Sequence, residues 1–220
     1  MAAGTGGHVF PALAVAKELQ QQGVTVSWLA TPTGMENRLL KDQNINIYQI
    51  DIQGVRGNGV VRKLIAPFKI LKATLSAMKY MKQLNVDAVA GFGGYVAGPG
   101  GLAARALGIP VLIHEQNAVA GFTNTQLSRV AKIVCEAFPN TFANTSKVVA
   151  TGNPVRKDIT EILSPAWRYE QREKAGLPLK VLIVGGSLGA QALNERVPEA
   201  LMQLGLPLEV YHQCGQNHQA

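Results

Sequence analysis

Val181-Leu182-Ile183-Val184-Gly185-Gly186-Ser187-Leu188-Gly189-Ala190 sets an apolar run against a glycine-rich turn, with a helix-like stretch after it. This is the form of a strand–turn–helix junction, where bare backbone N–H groups and a helix N-terminus can hold a phosphate. Two further turns of the kind stand upstream: Gly4-Thr5-Gly6-Gly7-His8, and Gly91-Phe92-Gly93-Gly94-Tyr95 running on to Gly98-Pro99-Gly100-Gly101. The first and third lie far enough apart to belong to two separate sheets. A site built from two such sheets binds its ligands in the cleft between them. The pattern therefore argues for a nucleotide-sugar or dinucleotide enzyme.

Around these turns the chain alternates. Helices are predicted over residues 11–22, 64–84, 101–107 and 123–130, and strands over 24–30, 45–52, 86–91, 111–114, 132–136 and 147–151. Ala12, Leu13, Val15, Ala16 and Leu19 give the first helix its apolar face, and Gly23 stops it. Pro67 is tolerable only in the first turn of its helix. Such alternation predicts an α/β fold, a doubly wound parallel sheet with helices on both faces. Residues 1–153 are expected to form this domain. Residues 154–220 are expected to hold a polar linker and the start of a second β/α domain, with a strand at 180–184, a helix at 191–204 and a strand at 208–212. One βαβ unit cannot bury both faces of a sheet, and only Met1-Ala2-Ala3 stand where a strand should lead into Gly4. The chain is accordingly expected to be truncated at both ends.

Apolar residues at 47% and charged residues at 16% give a globular profile. Cys135 and Cys214 lack CxxC spacing, which argues against a disulfide framework or a cysteine zinc site. With no long apolar run and no signal-peptide pattern, a cytoplasmic location is expected. The net charge of +7 is concentrated in one stretch. Between Ile52 and Val86 there is no acidic residue, yet Arg56, Arg62, Lys63, Lys69, Lys72, Lys79 and Lys82 are present. On a helix, Lys69, Lys72 and Lys79 share one side, and Phe68, Leu71, Leu75 and Met78 form a stripe beside it. That apolar sector is wider than one sheet-facing stripe requires. It suits a helix docking on an anionic bilayer surface, with a core helix bearing a lysine-rich outer face as the plain alternative. Nucleic acid would explain the charge but not the surplus apolar area.

The first turn departs from G-x-G-x-x-G, and Ala30-Thr31-Pro32 ends the second strand without an acidic residue for a ribose, so a dinucleotide site is weakly supported. His8 falls at a helix N-terminus, where the dipole disfavours the imidazolium and suits a neutral base. Tyr95 offers a donor on a loop whose glycines let a ligand approach the backbone. His114-Glu115-Gln116-Asn117 closes an apolar run at the carboxyl end of a strand, the edge that faces the crevice in such sheets. Arg156 could close on a phosphate. No Asp-x-Asp occurs, which disfavours a metal-held diphosphate.

Five motifs in order, from Gly4-Thr5-Gly6-Gly7-His8 through Gly93-Gly94-Tyr95, His114-Glu115-Gln116-Asn117 and Gly152-Asn153-Pro154-Val155-Arg156 to Gly185-Gly186-Ser187-Leu188-Gly189-Ala190, resemble the MurG family. These are the bacterial N-acetylglucosaminyltransferases that convert lipid I to lipid II in peptidoglycan synthesis. The resemblance implies a GT-B fold of two Rossmann-like domains, an inverting hexosyltransferase, and no cofactor or metal requirement. It implies that Thr5, Gly6, Gly7, Asn117, Arg156, Ser187 and Asn194 contact UDP-GlcNAc, that His8 is the catalytic candidate, as general base or acceptor contact, and that Tyr95 and His114 lie on the acceptor side. It implies a membrane patch of Phe68, Lys69, Lys72, Leu75 and Lys79, and a peripheral place on the cytoplasmic face of the inner membrane. Partners would be UDP-GlcNAc, lipid I and the anionic membrane surface, and not nucleic acid. With most of the donor domain missing, the chain itself is expected to turn over slowly or not at all. A non-catalytic membrane- or lipid I-binding module is the alternative, and a related glycolipid glycosyltransferase with another sugar donor is a third.

Overall fold

The computed structural model describes residues 1–52, 60–143, 145–186 and 189–215, with residues 60–64 described by backbone alone. The chain divides into two compact units, Met1–Thr160 and Glu161–Ala220. The larger unit runs α1 (Gly6–Gln21), β1 (Ser27–Ala30), α2 (Met35–Leu39), β2 (Asn46–Gln49), α3 (Val60–Gln83), β3 (Val89–Gly91), α4 (Ala97–Ala106), β4 (Val111–Glu115), α5 (Phe122–Leu127), β5 (Ile133–Glu136), β6 (Val148–Ala150) and α6 (Lys157–Thr160). The smaller unit runs α7 (Pro165–Lys174), β7 (Leu179–Val184), α8 (Gln191–Met202) and β8 (Leu208–Gln213).

Every described strand pair is parallel: β1 with β2, then β3-β4-β5-β6 in sequence order, then β7 with β8. In the larger unit helices cover two faces. Trp28 and Ala30 pack with Val9, Leu13 and Ala16 of α1, while Leu29 between them packs with Ala73, Ala77 and Met81 of α3. This is the alternation a strand buried on both faces requires. Ile113 and Val134 continue the second core under α4 and α5.

Residues 1–3 lie along β3. The Met1 α-amino group donates to Ala90 O at 2.7 Å, and Phe92 N donates to Met1 O at 2.9 Å. Ala2 and Ala3 are fully buried, and Trp28 Nε1 donates to Ala2 O. Burial pushes the Met1 amine down to about 5. Beside it a cavity of about 90 Å³ opens between β1 and β3, lined by Trp28, Leu29, Tyr80, Met81 and Val89 among others.

Several elements differ from the sequence-based expectation. The first helix begins at Gly6, not near Pro11, which places Pro11 inside α1. Pro67 is the eighth residue of α3, beyond the first turn. The fourth helix begins at Ala97 and takes in Gly98, Pro99, Gly100 and Gly101, so these glycines are not an open loop. A Cβ at Gly101 would stand 2.5 Å from Leu127, and one at Gly100 would overlap Met1 Sδ. They are therefore packing glycines. The polar stretch expected as a linker contains α6 and α7, and α7 is capped by Ser164 accepting from Trp167 N with Pro165 at its first position. Ser-Pro is a start signal that was present in the sequence.

Three buried carboxylates hold the loops that leave the sheet. Glu36, fully buried in the first turn of α2, accepts from Thr31 N at 2.9 Å, Thr31 Oγ1 at 2.8 Å and Gly4 N at 3.4 Å. Glu136 accepts from Asn140 N and Phe142 N, both at 3.0 Å. Glu115 accepts from Asn117 N at 3.1 Å, Asn117 Nδ2 at 2.8 Å, Gly121 N at 3.0 Å and Asn124 Nδ2 at 2.9 Å. Burial raises the Glu115 pKa, but the bonds from Gly121, Asn124 and Asn117 outweigh it and leave it below its ordinary value.

Gly94 has φ +80, and a Cβ there would overlap the Ala3 carbonyl. Gly94→Ala should thus cost about 3 kcal/mol or more in urea unfolding, left-handed strain plus a backbone clash. Gly108→Ala, at φ +72 with open space around it, should cost only about 1–2 kcal/mol. Glu115 ionises more readily folded than unfolded. Its stabilisation is therefore complete above the ordinary carboxyl value of 4.5 and is lost as pH falls through the lowered folded value. Glu115→Gln should be less stable at neutral pH and show a shallower acid limb in the same titration.

Candidate active site at the carboxyl edge of the larger unit

The first glycine turn delivers the start of α1 to the sheet edge. Thr5 is the N-cap in an extended conformation with no side-chain cap, and Gly6, Gly7 and His8 are the first three helical residues. His8 N donates to Thr5 O at 3.1 Å, which leaves the Gly6 and Gly7 N–H groups for an anionic or polar ligand. Gly4, Thr5 and Gly7 are exposed and His8 is half-buried. His8 is at a helix N-terminus, as its sequence position implied.

The second glycine turn packs directly on the first. The His8 ring lies against the Cα of Gly93, where a Cβ would approach its Cε1 and Nδ1 to 2.8 Å. The Tyr95 ring is 3.9 Å from the Cβ position of Gly4, and Tyr95 is exposed. Turns some ninety residues apart in the chain therefore bring His8 and Tyr95 to one place.

The His114-Glu115-Gln116-Asn117 segment is arranged differently from the expectation. Only Asn117 is exposed, and the other three are buried. Most of their polar groups are engaged by neighbouring loops, while His114 Nδ1 is buried without a hydrogen-bond partner. His114 Nε2 is 3.0 Å from Gly152 O, so this nitrogen carries the hydrogen. Asn124 Nδ2 donates to His114 O at 3.0 Å, and Asn153 Nδ2 donates to Gln116 O at 3.2 Å. Gln116 Oε1 lies 3.2 Å from His8 Nδ1. The segment thus joins the first turn to the Gly152-Asn153-Pro154 turn.

Arg156 emerges from that turn and stacks over the Phe10 ring, 5.6 Å from its centroid. This is cation–π range, and Phe10 stands one helical turn beyond Gly6. A Cβ at Gly6 would lie 3.1 Å from the Phe10 ring. The guanidinium is also 3.8 Å from exposed Asp158. His8, Tyr95, Gln116 and Arg156 therefore gather around the N-terminal end of α1.

In the smaller unit, Gly186 and Gly189 adopt positive φ in the turn between β7 and α8. Asn194 Nδ2 donates to Cys214 O at 3.0 Å, tying α8 to the end of β8. Ser187 lies outside the described residues. Among the described residues no cluster of three His, Cys, Asp or Glu could hold a metal ion.

Sequence reasoning gave Gln116 and Asn153 no role of their own within their motifs, and it missed Glu36, Asn124 and Phe10. Glu36 gave the only usable signal, an acidic side chain one turn after a strand that ends in Thr-Pro. The others act through partners distant in the chain, which a single sequence does not pair.

On the lysine-rich helix α3, Phe68 is 74% exposed and Leu71 and Leu75 are each 57% exposed, while Ala73, Ala77 and Met81 face the core. Lys69, Lys72 and Lys79 are exposed beside the apolar stripe. Among the described residues no helix is long and apolar enough to cross a membrane.

Residues 1–135 match the glycosyltransferase family 28 N-terminal domain, and residues 180–220 match the family's C-terminal domain. The UDP-N-acetylglucosamine--N-acetylmuramyl-(pentapeptide) pyrophosphoryl-undecaprenol N-acetylglucosamine transferase of Acinetobacter baumannii is 83% identical over 216 residues, which is 98% of this chain and 59% of the relative. The transferase of the same name from Psychrobacter cryohalolentis is 50% identical, over all of this chain and 61% of its own length. The crystal structure of Acinetobacter baumannii MurG matches with a TM-score of 0.76 at 80% identity, covering 98% of this chain and 59% of that one. Anabaena HepE in complex with UDP and glucose matches with a TM-score of 0.58 at 14% identity, over 94% of this chain and 57% of that one, a likeness of fold alone. The chain thus spans about three-fifths of the length of the relatives it matches. Its parallel α/β architecture is that of the GT-B glycosyltransferases. The chain belongs to glycosyltransferase family 28.

Proposed function

We propose that these residues form the acceptor half, and the opening of the donor half, of an enzyme that moves GlcNAc from UDP-GlcNAc to the C4 hydroxyl of MurNAc in lipid I, giving lipid II. The observation that carries this reading is the gathering of His8, Tyr95, Gln116 and Arg156 at the N-terminal end of α1. The names of the relatives supply the substrates.

In the proposed reaction the acceptor oxygen attacks the anomeric carbon from the face opposite the diphosphate. The carbon–oxygen bond to UDP breaks, UDP departs with the electron pair, and the configuration inverts. The hydroxyl proton passes to His8 and then to solvent. Negative charge growing on UDP meets the Gly6 and Gly7 N–H groups at the start of α1 and the Arg156 guanidinium. Thr5, Gly6, Gly7, Asn117 and Arg156 contact the sugar nucleotide in this reading, with Ser187 and Asn194 contributing from the second domain. Tyr95 serves the acceptor directly. His114 is buried and acts through Gly152, whose carbonyl it holds.

The acceptor is lipid-linked, and α3 fits that requirement. Phe68, Leu71 and Leu75 are exposed beside Lys69, Lys72 and Lys79, the pattern of a helix lying on an anionic bilayer surface. The reading places the enzyme peripherally at the cytoplasmic face of the inner membrane.

Two measurements test this. The first uses a full-length chimera in which these 220 residues replace the matching segment of the Acinetobacter baumannii enzyme. There, His8→Ala should lower kcat for transfer to lipid I by roughly 10²–10⁴-fold. Unchanged turnover would overturn the reading, and the isolated 220-residue chain should turn over far more slowly than the chimera. The second is co-sedimentation with phosphatidylglycerol-containing vesicles. A surface lysine contributes about 1 kcal/mol, so replacing Lys69, Lys72 and Lys79 by Glu should cut partitioning on the order of 100-fold or more. Retained binding by that variant would refute electrostatic docking.

A further inference from the structure

We infer that Gln116 sets the tautomer of His8, leaving Nε2 as the bare, proton-accepting nitrogen. Gln116 is buried, with its side-chain amide held at the nitrogen and its backbone held at the carbonyl. Nε2 donates to His114 O at 3.3 Å, and its backbone oxygen accepts from Asn153 Nδ2 at 3.2 Å. An amide whose NH₂ faces a carbonyl must turn its oxygen the other way. That oxygen is the atom 3.2 Å from His8 Nδ1. A carbonyl oxygen only accepts, so Nδ1 supplies the hydrogen and the neutral ring carries its lone pair on Nε2.

Two further contacts hold this arrangement. The His8 ring lies flat enough on Gly93 that a Cβ there would reach its Cε1 and Nδ1 at 2.8 Å. Gly93 has φ +97, a conformation natural to glycine, which keeps this face free of a side chain. His114, whose carbonyl orients the Gln116 amide, is itself held by Asn124 at that carbonyl and by Gly152 at its ring. Gln116 therefore has one orientation available, and His8 one favoured tautomer. Among the described residues, His8 Nε2 has no hydrogen-bond partner in the protein.

The role of Gln116 in turnover rests on the proposed reaction, in which His8 receives the acceptor hydroxyl proton. The opposite tautomer would present an N–H at Nε2 and could not receive it. Gln116 is accordingly a positioning residue. The tautomer itself does not depend on the reaction and can be read without substrate.

The test is ¹⁵N NMR of the imidazoles in the 220-residue chain at about pH 8.5, well above the ordinary histidine pKa of about 6.5. His8 should show protonated Nδ1 and unprotonated Nε2. Gln116→Met, similar in size but without the acceptor oxygen, should shift the ring towards the Nε2–H form that a free histidine side chain favours. Gln116→Glu restores an acceptor and should keep Nδ1–H. An unchanged Trp28 indole N–H signal, bonded to Ala2 O in the larger unit, reports that the variants fold. An Nε2–H ring in the unsubstituted chain would overturn the inference, and so would a Gln116→Met ring that stays Nδ1–H. In the full-length chimera, Gln116→Met should lower kcat at least about tenfold with little change in KM for UDP-GlcNAc, and Gln116→Glu should recover part of the loss. If His8→Ala keeps full turnover while the tautomer shifts as stated, the reaction reading fails and the assignment of the tautomer stands.

Discussion

The larger unit is organised by a close approach of backbone to backbone. Gly94 rests on the carbonyl of Ala3, so the turn after β3 meets the turn before α1 with no side chain between them. Met1 bonds to Ala90 and Phe92 just beneath this contact. Any residue other than glycine at 94 would force the turns apart. His8 would then lose its seat on Gly93, and Tyr95 its place over Gly4. The chemistry of the site depends on these two turns touching, because its principal side chains sit on opposite sides of the contact.

Glu36, Glu115 and Glu136 extend the same logic to the remaining loops. Each is buried at or just beyond the carboxyl end of a strand and accepts backbone N–H groups from the loop that follows. Hydrogen bonds to a charged acceptor contribute more than neutral ones, on the order of 1.5–3 kcal/mol each. They are also directional, so a loop held this way keeps its shape without a hydrophobic core of its own. Only Asn117 of its four-residue segment is left exposed. The segment acts more as a clamp than as a binding surface.

The fold class and the three turns were legible because the period of the apolar residues and the glycine clusters are local signals. The starts of α1 and α4 were not, although that of α8 at Gln191 was. Gly6, Gly7 and Gly98 are poor helix formers, and their inclusion in α1 and α4 follows from tertiary packing that overrides propensity. Gly100 and Gly101 read as ligand-facing backbone, yet they accommodate Met1 and Leu127. The exposed stripe of α3 was readable because its apolar sector exceeded what one sheet could cover. The link from Gln116 to His8 spans 108 positions and has no local signature. Nor did the sequence show that His114 would be turned inward, since a histidine at a strand end reads alike whether it faces a ligand or a carbonyl.

The cavity between β1 and β3 leaves part of the first core loosely filled. Ala77 and Ala88 border an apolar slot of about 90 Å³ that Leu29, Met81 and Val89 do not close. Atoms lining such a space lack dispersion partners on one side, so this part of the sheet grips its neighbours less firmly than Gly94 grips Ala3.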